Sequence, residues 1–181
     1  MTATHGFVDE SIRAGWYRLT VVEIRSRDLA GVTRSIRSRV PAGQTRLHIA
    51  SENAQRKRTI LGSFLRLPIV ATTFETPYDR RSDDQVARDR CLRALVGHLL
   101  TSGVSVLVLD TRGPDRDRRD GRALSAALRG RGEALVYSHR GSRDEALLAL
   151  PDGIGWAVGA GRPWRQLVAD VARVVDVGKR G

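Results

Sequence analysis

Cysteine is almost absent from this chain of 181 residues, because Cys91 stands alone. A single cysteine can form neither an intrachain disulfide nor a cysteine-based zinc site. The sequence also lacks any run of about 18 apolar residues, the minimum for a membrane-spanning helix. Residues 1–10 contain no basic segment followed by an apolar one, so we expect no secretory signal there. A cytoplasmic protein without a membrane partner is the resulting expectation.

The motifs of several common enzyme classes are also missing. Neither G-x-G-x-x-G nor G-x-x-x-x-G-K-[ST] occurs, which disfavours a small-molecule enzyme that binds a nucleotide cofactor. The spacing of the C-terminal glycines does not match either motif, and no strong strand precedes them. These are Gly153, Gly155, Gly159 and Gly161. No G-x-S-x-G is present, so a serine hydrolase is equally unsupported.

Lysine is rare, yet positive charge is abundant. Lys57 and Lys179 are the only lysines among 31 basic residues, and the net charge is +11. An excess of this size favours an anionic partner, of which nucleic acid is the commonest large one. A chain rich in Arg, Ala, Val and Gly is also typical of a GC-rich genome, so the charge supports nucleic-acid binding without deciding it.

The hydrophobic pattern predicts strands first and then strands and helices in alternation. The strands are predicted at residues 6–9, 16–24, 45–50, 69–74, 104–109 and 134–137. Helices are predicted from Asp28 to about Arg39, from Ser51 to Pro68, from Asp83 or Asp84 to Gly103 with a stripe that includes Val86, around residues 124–128, and from Pro163 to Val174. Residues 112–122 are interpreted as a charged loop. The prediction is one α/β domain over residues 1–181, with a mixed sheet between helices on both faces.

Three aspartates stand where the predicted elements end, and they could carry chemistry. Asp9 is predicted to end the first strand, Asp110 ends the run Val-Ser-Val-Leu-Val-Leu, and Asp152 begins the C-terminal helical segment. Strands that end side by side can bring such carboxylates together. Magnesium prefers oxygen ligands, and paired metal ions can hydrolyse a phosphodiester. The alternative for each residue is structural, because an Asp at an element end often caps a turn or a helix.

A fourth ligand is less well defined. We favour Glu52, which lies in the predicted helix after the third strand, although a glutamate in a first turn also suits the helix dipole. Glu75 and His48 remain alternatives. His48 is interpreted as a satisfied core or surface histidine within a strand.

These motifs resemble a widespread, uncharacterised bacterial family with a ribonuclease H-like fold that is often linked to mobile elements. The resemblance rests on Gly6-Phe7-Val8-Asp9-Glu10-Ser11, Leu47-His48, the apolar strand that ends in Asp110, and Leu150-Pro151-Asp152-Gly153-Ile154-Gly155-Trp156. It implies a three-layer α/β/α fold with a mixed central sheet. It also implies acids on the first strand, the first core helix, a later strand and a C-terminal helix, an order that Asp9, Glu52, Asp110 and Asp152 follow. Two departures are Ile12, where the family often has glycine, and an additional helix between the second and third strands.

Basic residues near these acids are candidates for binding phosphates. The candidates are Arg56, Lys57, Arg58, Arg112, Arg140 and Arg143. A solvated charged face is the alternative, since acidic residues at 115, 117 and 120 partly neutralise their loop. The aromatic residues Trp16, Tyr17, Trp156 and Trp164 are predicted to lie in the core.

The sequence leaves two functions open. The first is a nuclease that hydrolyses RNA or DNA with Mg²⁺ or Mn²⁺ held by the four acids. The second is a non-catalytic nucleic-acid-binding or interaction module that has the same fold.

Overall fold

A six-stranded mixed sheet organises the computed structural model, which describes residues 3–79, 81, 83–130 and 135–178. Its strands are β1 (Thr4–Arg13), β2 (Trp16–Arg25), β3 (Val70–Pro77), β4 (Val104–Asp110), β5 (Val136–Arg140) and β6 (Ala172–Asp176). Their order across the sheet is β5-β4-β1-β2-β3-β6. The β1–β2 and β2–β3 pairs are antiparallel, whereas β1–β4, β4–β5 and β3–β6 are parallel. The mixed sheet expected from the sequence is therefore confirmed.

Helices cover both faces of this sheet. They are α1 (Leu29–Arg37), α2 (Ala54–Phe64), α3 (Asp84–Ser102), α4 (Pro114–Leu128), α5 (Ala149–Ala160) and α6 (Trp164–Leu167). One core joins the sheet to α1, α2 and α5, and a second core joins the opposite face to α3 and α4. The alternation of β1 explains the two cores, because Phe7 faces the first and Val8 the second. The protein thus has the three-layer α/β/α, ribonuclease H-like fold.

The sequence correctly predicted where the long helix α3 begins and ends. The Asp83 side chain accepts a hydrogen bond of 2.9 Å from the Gln85 backbone N–H, and Gly103 ends the helix with a φ of 74°. Cys91 lies buried on its inner face. The predicted apolar stripe was wrong at Val86, which is 62% exposed because it points away from the sheet.

The third strand predicted at residues 45–50 was wrong. This segment is a loop that closes with a 3₁₀ turn at Ile49–Ser51. Its alternation is real, since Leu47 and Ile49 are buried against the first core. They anchor an irregular segment there, however, because residues 45–50 pair with no strand in the described sheet. The next helix accordingly begins after Asn53, whose side chain accepts from the Arg56 N–H, and not after Ser51.

Three other boundaries differ from the sequence predictions. Most of the predicted loop at 112–122 is helical, because α4 begins at Pro114, where the acidic first turn favours the helix dipole. The last predicted helix shrinks to α6, and the β-branched residues that follow it form β6. The strand predicted at 134–137 runs from Val136 to Arg140, and residue 134 lies outside the described residues.

Glycines bring α5 unusually close to the sheet. A Cβ atom built on Gly155 would lie 2.9 Å from the Thr20 Oγ1 atom, and one on Gly153 would lie 2.8 Å from the Phe64 ring. A side chain at 155 would push α5 away from β1 and β2, and one at 153 would push it away from α2. This close approach matters because α5 also carries Asp152.

We predict that Gly155→Ala lowers the free energy of unfolding by about 1–3 kcal/mol, because the added methyl group overpacks the α5–β2 contact. The matched control is Gly97→Ala in α3, where an added Cβ meets nothing within 4 Å. That change should stabilise the protein by about 0.5–1 kcal/mol through helix propensity. Urea titration of both variants measures the difference. Equal effects of the two substitutions would contradict the close packing of α5.

Candidate functional site

The parallel register of β1 and β4 brings Asp9 beside Asp110. Phe7 pairs with Val108 and Val8 with Leu109, so Asp9 and Asp110 stand one residue beyond the last pair, at the same height. Both therefore project from the same face as Phe7, the face covered by α5. The prediction that Asp9 ends its strand was wrong, since β1 continues to Arg13, and Asp9 reaches this position from the middle of the strand.

Helix α5 completes this arrangement with Asp152. The residue lies in the first turn of α5, and its Oδ2 atom accepts a 3.1 Å hydrogen bond from the Ile49 backbone N–H. His48 Nδ1 also lies 3.1 Å from the same oxygen. The carboxylates of Asp9, Asp110 and Asp152 line one cleft of about 220 Å³, together with Glu10, Arg46, Leu47, His48, Ser142, Leu148 and Ala149.

Among these three acids, Asp9 has the environment least favourable to a negative charge. Burial raises its pKa well above the ordinary value of 3.8, and the neighbouring charges of Asp152 and Asp110 raise it further. Its side chain accepts a 2.7 Å hydrogen bond from the Glu10 backbone N–H. Within the described chain no basic side chain is paired with it. The folded protein therefore holds a carboxylate whose negative charge is poorly compensated.

Asp110 and Asp152 each have a basic side chain nearby. Burial also raises the pKa of Asp110, an effect that the Arg46 charge opposes and the Asp152 charge reinforces. Arg46 is held beside the cleft by a hydrogen bond of 2.6 Å to the Ser142 hydroxyl. The hydrogen bond to Asp152 raises the pKa of His48 and outweighs the opposing effect of burial.

The chemistry of this donor set fits a divalent cation. Three carboxylates on one cleft supply the hard oxygen ligands that Mg²⁺ prefers, and a cation would relieve the repulsion that raises the pKa of Asp9. The side chains are not arranged as a finished site, however. Among the described residues, no three His, Cys, Asp or Glu side chains stand at the mutual distances of metal ligands.

The three candidates for a fourth ligand lie in different places. The prediction that Glu52 lies within a helix was wrong, because the residue precedes α2. Its Oε2 atom pairs with Arg56 Nε at 2.7 Å, and the residue does not line the cleft. Glu75 is committed to a buried ion pair with Arg18 at 2.8 Å. His48, an alternative ligand that sequence analysis had interpreted as a satisfied histidine, is the candidate of the three that lines the cleft.

A buried network on the opposite face of the sheet supports β1 beneath the cleft. Arg88 in α3 donates to both oxygens of Asp120 in α4, at 2.7 and 2.6 Å, and to Glu10 Oε2 at 2.8 Å. The Tyr17 hydroxyl donates a short hydrogen bond to the same oxygen of Glu10. Alternation alone predicts that Glu10 points away from Asp9, but no sequence signal identified Arg88 as its partner or Asp120 as the partner of Arg88.

The predicted phosphate-binding residues divide into three pairs. Two are already neutralised: Arg56 pairs with Glu52, and Arg112 is buried, with its Nη2 atom 2.5 Å from Asp84. Arg112 Nε lies 3.1 Å from Glu10 without hydrogen-bond alignment. Arg140, the last residue of β5, and Arg143, which follows it, are exposed near the cleft residue Ser142. Lys57 and Arg58 lie on α2, where Lys57 packs over the Trp156 ring and Arg58 over the Trp164 ring.

Comparison with known proteins supports the fold. No protein-family model matches the sequence, and no curated protein matches it significantly. A solved structure that it resembles is that of the PCNA:RNase HII complex from Archaeoglobus fulgidus. The likeness has a TM-score of 0.55 and 12% sequence identity, and it covers 92% of this chain and 76% of that chain. At this identity the likeness shows a ribonuclease H-like fold and nothing finer. The bacterial family and its link to mobile elements stay predictions.

None of the helices in the described ranges is both long and apolar enough to cross a membrane.

We predict that Asp120→Ala lowers the free energy of unfolding by about 3–5 kcal/mol, because it leaves Arg88 buried without its main partner. Asp115→Ala, on the same helix, is the control: its ion pair with Arg118 is exposed, so the change should stay below about 1 kcal/mol. Chemical denaturation measures both. Similar small effects would show that the buried pair does not hold α3 to α4.

The same network has a pH dependence. Burial alone would raise the pKa of Asp120, but hydrogen bonds from His139 and Arg88 outweigh it and lower the pKa to about 2. The contribution of Asp120 to stability is therefore complete above its unfolded value of 3.8 and is lost as pH falls toward 2. The wild type and Asp120→Ala should converge in stability over that acid range.

Asp9→Asn should have the opposite effect on stability. We predict that the metal-free variant is more stable than the wild type at neutral pH, because it removes a buried charge that faces Asp110 and Asp152. Because the pKa of Asp9 is raised in the folded protein, its ionisation costs more stability as pH rises above 3.8. Below that pH the variant and the wild type should be equally stable. Thermal unfolding in a chelator at several pH values measures it. A variant less stable than the wild type at neutral pH would count against this electrostatic picture.

Proposed function

We propose that this protein is a metal-dependent nuclease that hydrolyses phosphodiester bonds in RNA or DNA. The observation that carries the proposal is the cleft where Asp9, Asp110 and Asp152 converge while Asp9 has no basic partner in the described chain. The three carboxylates repel one another, which favours a cation bound between them. The net charge of +11 favours a polyanionic substrate. The ribonuclease H-like fold is compatible with this activity.

Mg²⁺ or Mn²⁺ is the proposed cofactor, with Asp9, Asp110 and Asp152 as its ligands. When bound, such an ion supplies an activated water and neutralises charge on the phosphate. Glu52 was the fourth predicted ligand, but the proposal rests on the three aspartates because Glu52 lies outside the cleft and is paired with Arg56.

The remaining residues of the cleft have supporting roles. His48 and the Ile49 N–H both contact the Oδ2 atom of Asp152 and so fix the orientation of its carboxylate. Arg46 stands beside Asp110 and can pair with a phosphate oxygen. Glu10 faces the Arg88 network, which fixes the strand beneath Asp9.

We predict that Asp9→Asn, Asp110→Asn and Asp152→Asn each abolish Mg²⁺-dependent cleavage of a labelled RNA or DNA while the fold is retained. The reason is that each substitution removes one anionic oxygen ligand. The control is Asp170→Asn, an exposed residue outside the cleft, which should cleave like the wild type. Gel assays with single- and double-stranded RNA and DNA measure cleavage. Undiminished cleavage by purified Asp9→Asn would exclude the proposed mechanism.

A non-catalytic nucleic-acid-binding module is the second candidate. It is favoured by the finding that no three potential ligands among the described residues stand ready for a metal. This function predicts salt-dependent binding with no turnover by the wild type in Mg²⁺ or Mn²⁺. The cleavage assays above separate the two, since only the nuclease gives a product that the aspartate variants lose.

A further inference from the structure

A cluster of positive charges on the outer side of α2 has no acidic partners. Arg13 at the end of β1, and Lys57 and Arg58 in α2, form no ion pair with any described carboxylate. They lie instead against indole rings: the Lys57 Nζ atom is 4.7 Å and the Arg13 Cζ atom 5.7 Å from the centre of the Trp156 ring, and Arg58 Cζ is 5.4 Å from that of Trp164. Held in this way, their charges remain available to an external anion.

The arginines on α4 and its preceding loop behave differently. Arg112 and Arg116 share Asp84, Arg118 pairs with Asp115, and Arg119 lies 3.8 Å from Asp83. Their charges are largely balanced by neighbours on the same surface. These four arginines therefore differ from the α2 cluster, whose positive charges are not paired with any described carboxylate.

Two tryptophans lie within this cluster. Trp156 and Trp164 pack edge to face with ring centres 5.2 Å apart, and both stay partly exposed. The sequence prediction that they are core residues was therefore only half correct. They pack against the first core with one side and leave the other at the surface.

The tryptophans are continuous with the acidic cleft. Trp156 follows Asp152 by four residues on α5, so the two side chains lie on the same side of the helix, about 6 Å apart along its axis. Lys57 also donates a 3.1 Å hydrogen bond to the Ala50 carbonyl, next to the Ile49 N–H that binds Asp152. A ligand chain that leaves the cleft along α5 therefore meets Trp156 and Lys57 first.

A surface pocket lies at the far end of this path. It has a volume of about 320 Å³ and is lined by Arg58, Pro163, Trp164, Gln166 and Leu167. Apolar walls with two polar groups are the usual composition of a site for a flat, partly polar ring. Unstacked bases pack on aromatic side chains in this manner.

We propose that Arg13, Lys57, Arg58, Trp156 and Trp164 form a binding track for a single-stranded segment of nucleic acid that continues out of the acidic cleft. The basic side chains bind phosphates, and the pocket beside Trp164 receives a base. A duplex is disfavoured because its bases are stacked and turned inward, where the indoles cannot reach them. The inference rests on the proposed function in one respect, which is that the ligand is a nucleic acid.

The test measures equilibrium binding of fluorescein-labelled oligodeoxythymidylate and oligouridylate to the intact protein in a chelator, so that no cleavage occurs. Lys57→Gln combined with Arg58→Gln should weaken binding about tenfold at low salt. It should also reduce the slope of log affinity against log salt by about 0.7 for each lost phosphate contact. The matched control is Arg118→Gln with Arg119→Gln, which removes the same charge from α4 and should leave affinity nearly unchanged.

Tryptophan fluorescence gives a second readout that needs no charge variant. In a Trp16→Phe background the remaining emission comes from Trp156 and Trp164, and the single-stranded oligonucleotides should quench it, whereas a hairpin duplex should not. Thermal unfolding confirms that each variant is folded before it is used. Equal losses of affinity in the α2 and α4 variants, stronger binding of the duplex, or no quenching on saturation would each overturn the proposal.

These outcomes are independent of catalysis. Binding that depends on Lys57 and Arg58, in a protein that never cleaves, would refute the nuclease while the track stands. Cleavage that the aspartate variants lose, together with unchanged affinity in Lys57→Gln with Arg58→Gln, would refute the track while the nuclease stands.

Discussion

Repulsion among three carboxylates is the constraint on which the site depends. The parallel register of β1 and β4 sets Asp9 beside Asp110, and the close packing of α5 on the sheet adds Asp152. Burial then raises the pKa of Asp9 well above its ordinary value. Such a cluster costs stability unless a cation or a proton joins it, which is why a purely structural role explains it poorly.

The rest of the architecture serves to hold this cluster in place. Gly155 lets α5 approach the strands, Gly153 lets it approach α2, and the His48 and Ile49 contacts fix Asp152. On the opposite face, the Arg88–Asp120 pair joins α3 to α4 and reaches Glu10, the neighbour of Asp9. The cleft is thus supported from both faces of the sheet by groups that take no part in its chemistry.

The sequence predicted the layers of the fold and three of the cleft residues because those signals are local. An apolar run that ends in Asp110 and an alternating strand that contains Asp9 can be recognised without tertiary information. Glu52 was placed wrongly because the true helix cap is Asn53. The N-terminal part of α4 was missed because alternating Asp and Arg is also typical of a loop. Pairing of Arg112 with Asp84 joins residues far apart along the chain, and no local pattern reports it.

The most direct test of the account is a crystal structure of the protein soaked in Mn²⁺, with anomalous diffraction recorded at a wavelength where manganese scatters strongly. The account predicts an anomalous peak in the cleft, coordinated by carboxylate oxygens of Asp9 and at least one of Asp110 and Asp152. A cleft without manganese at saturating concentration, with the three side chains directed away from one another, would contradict it.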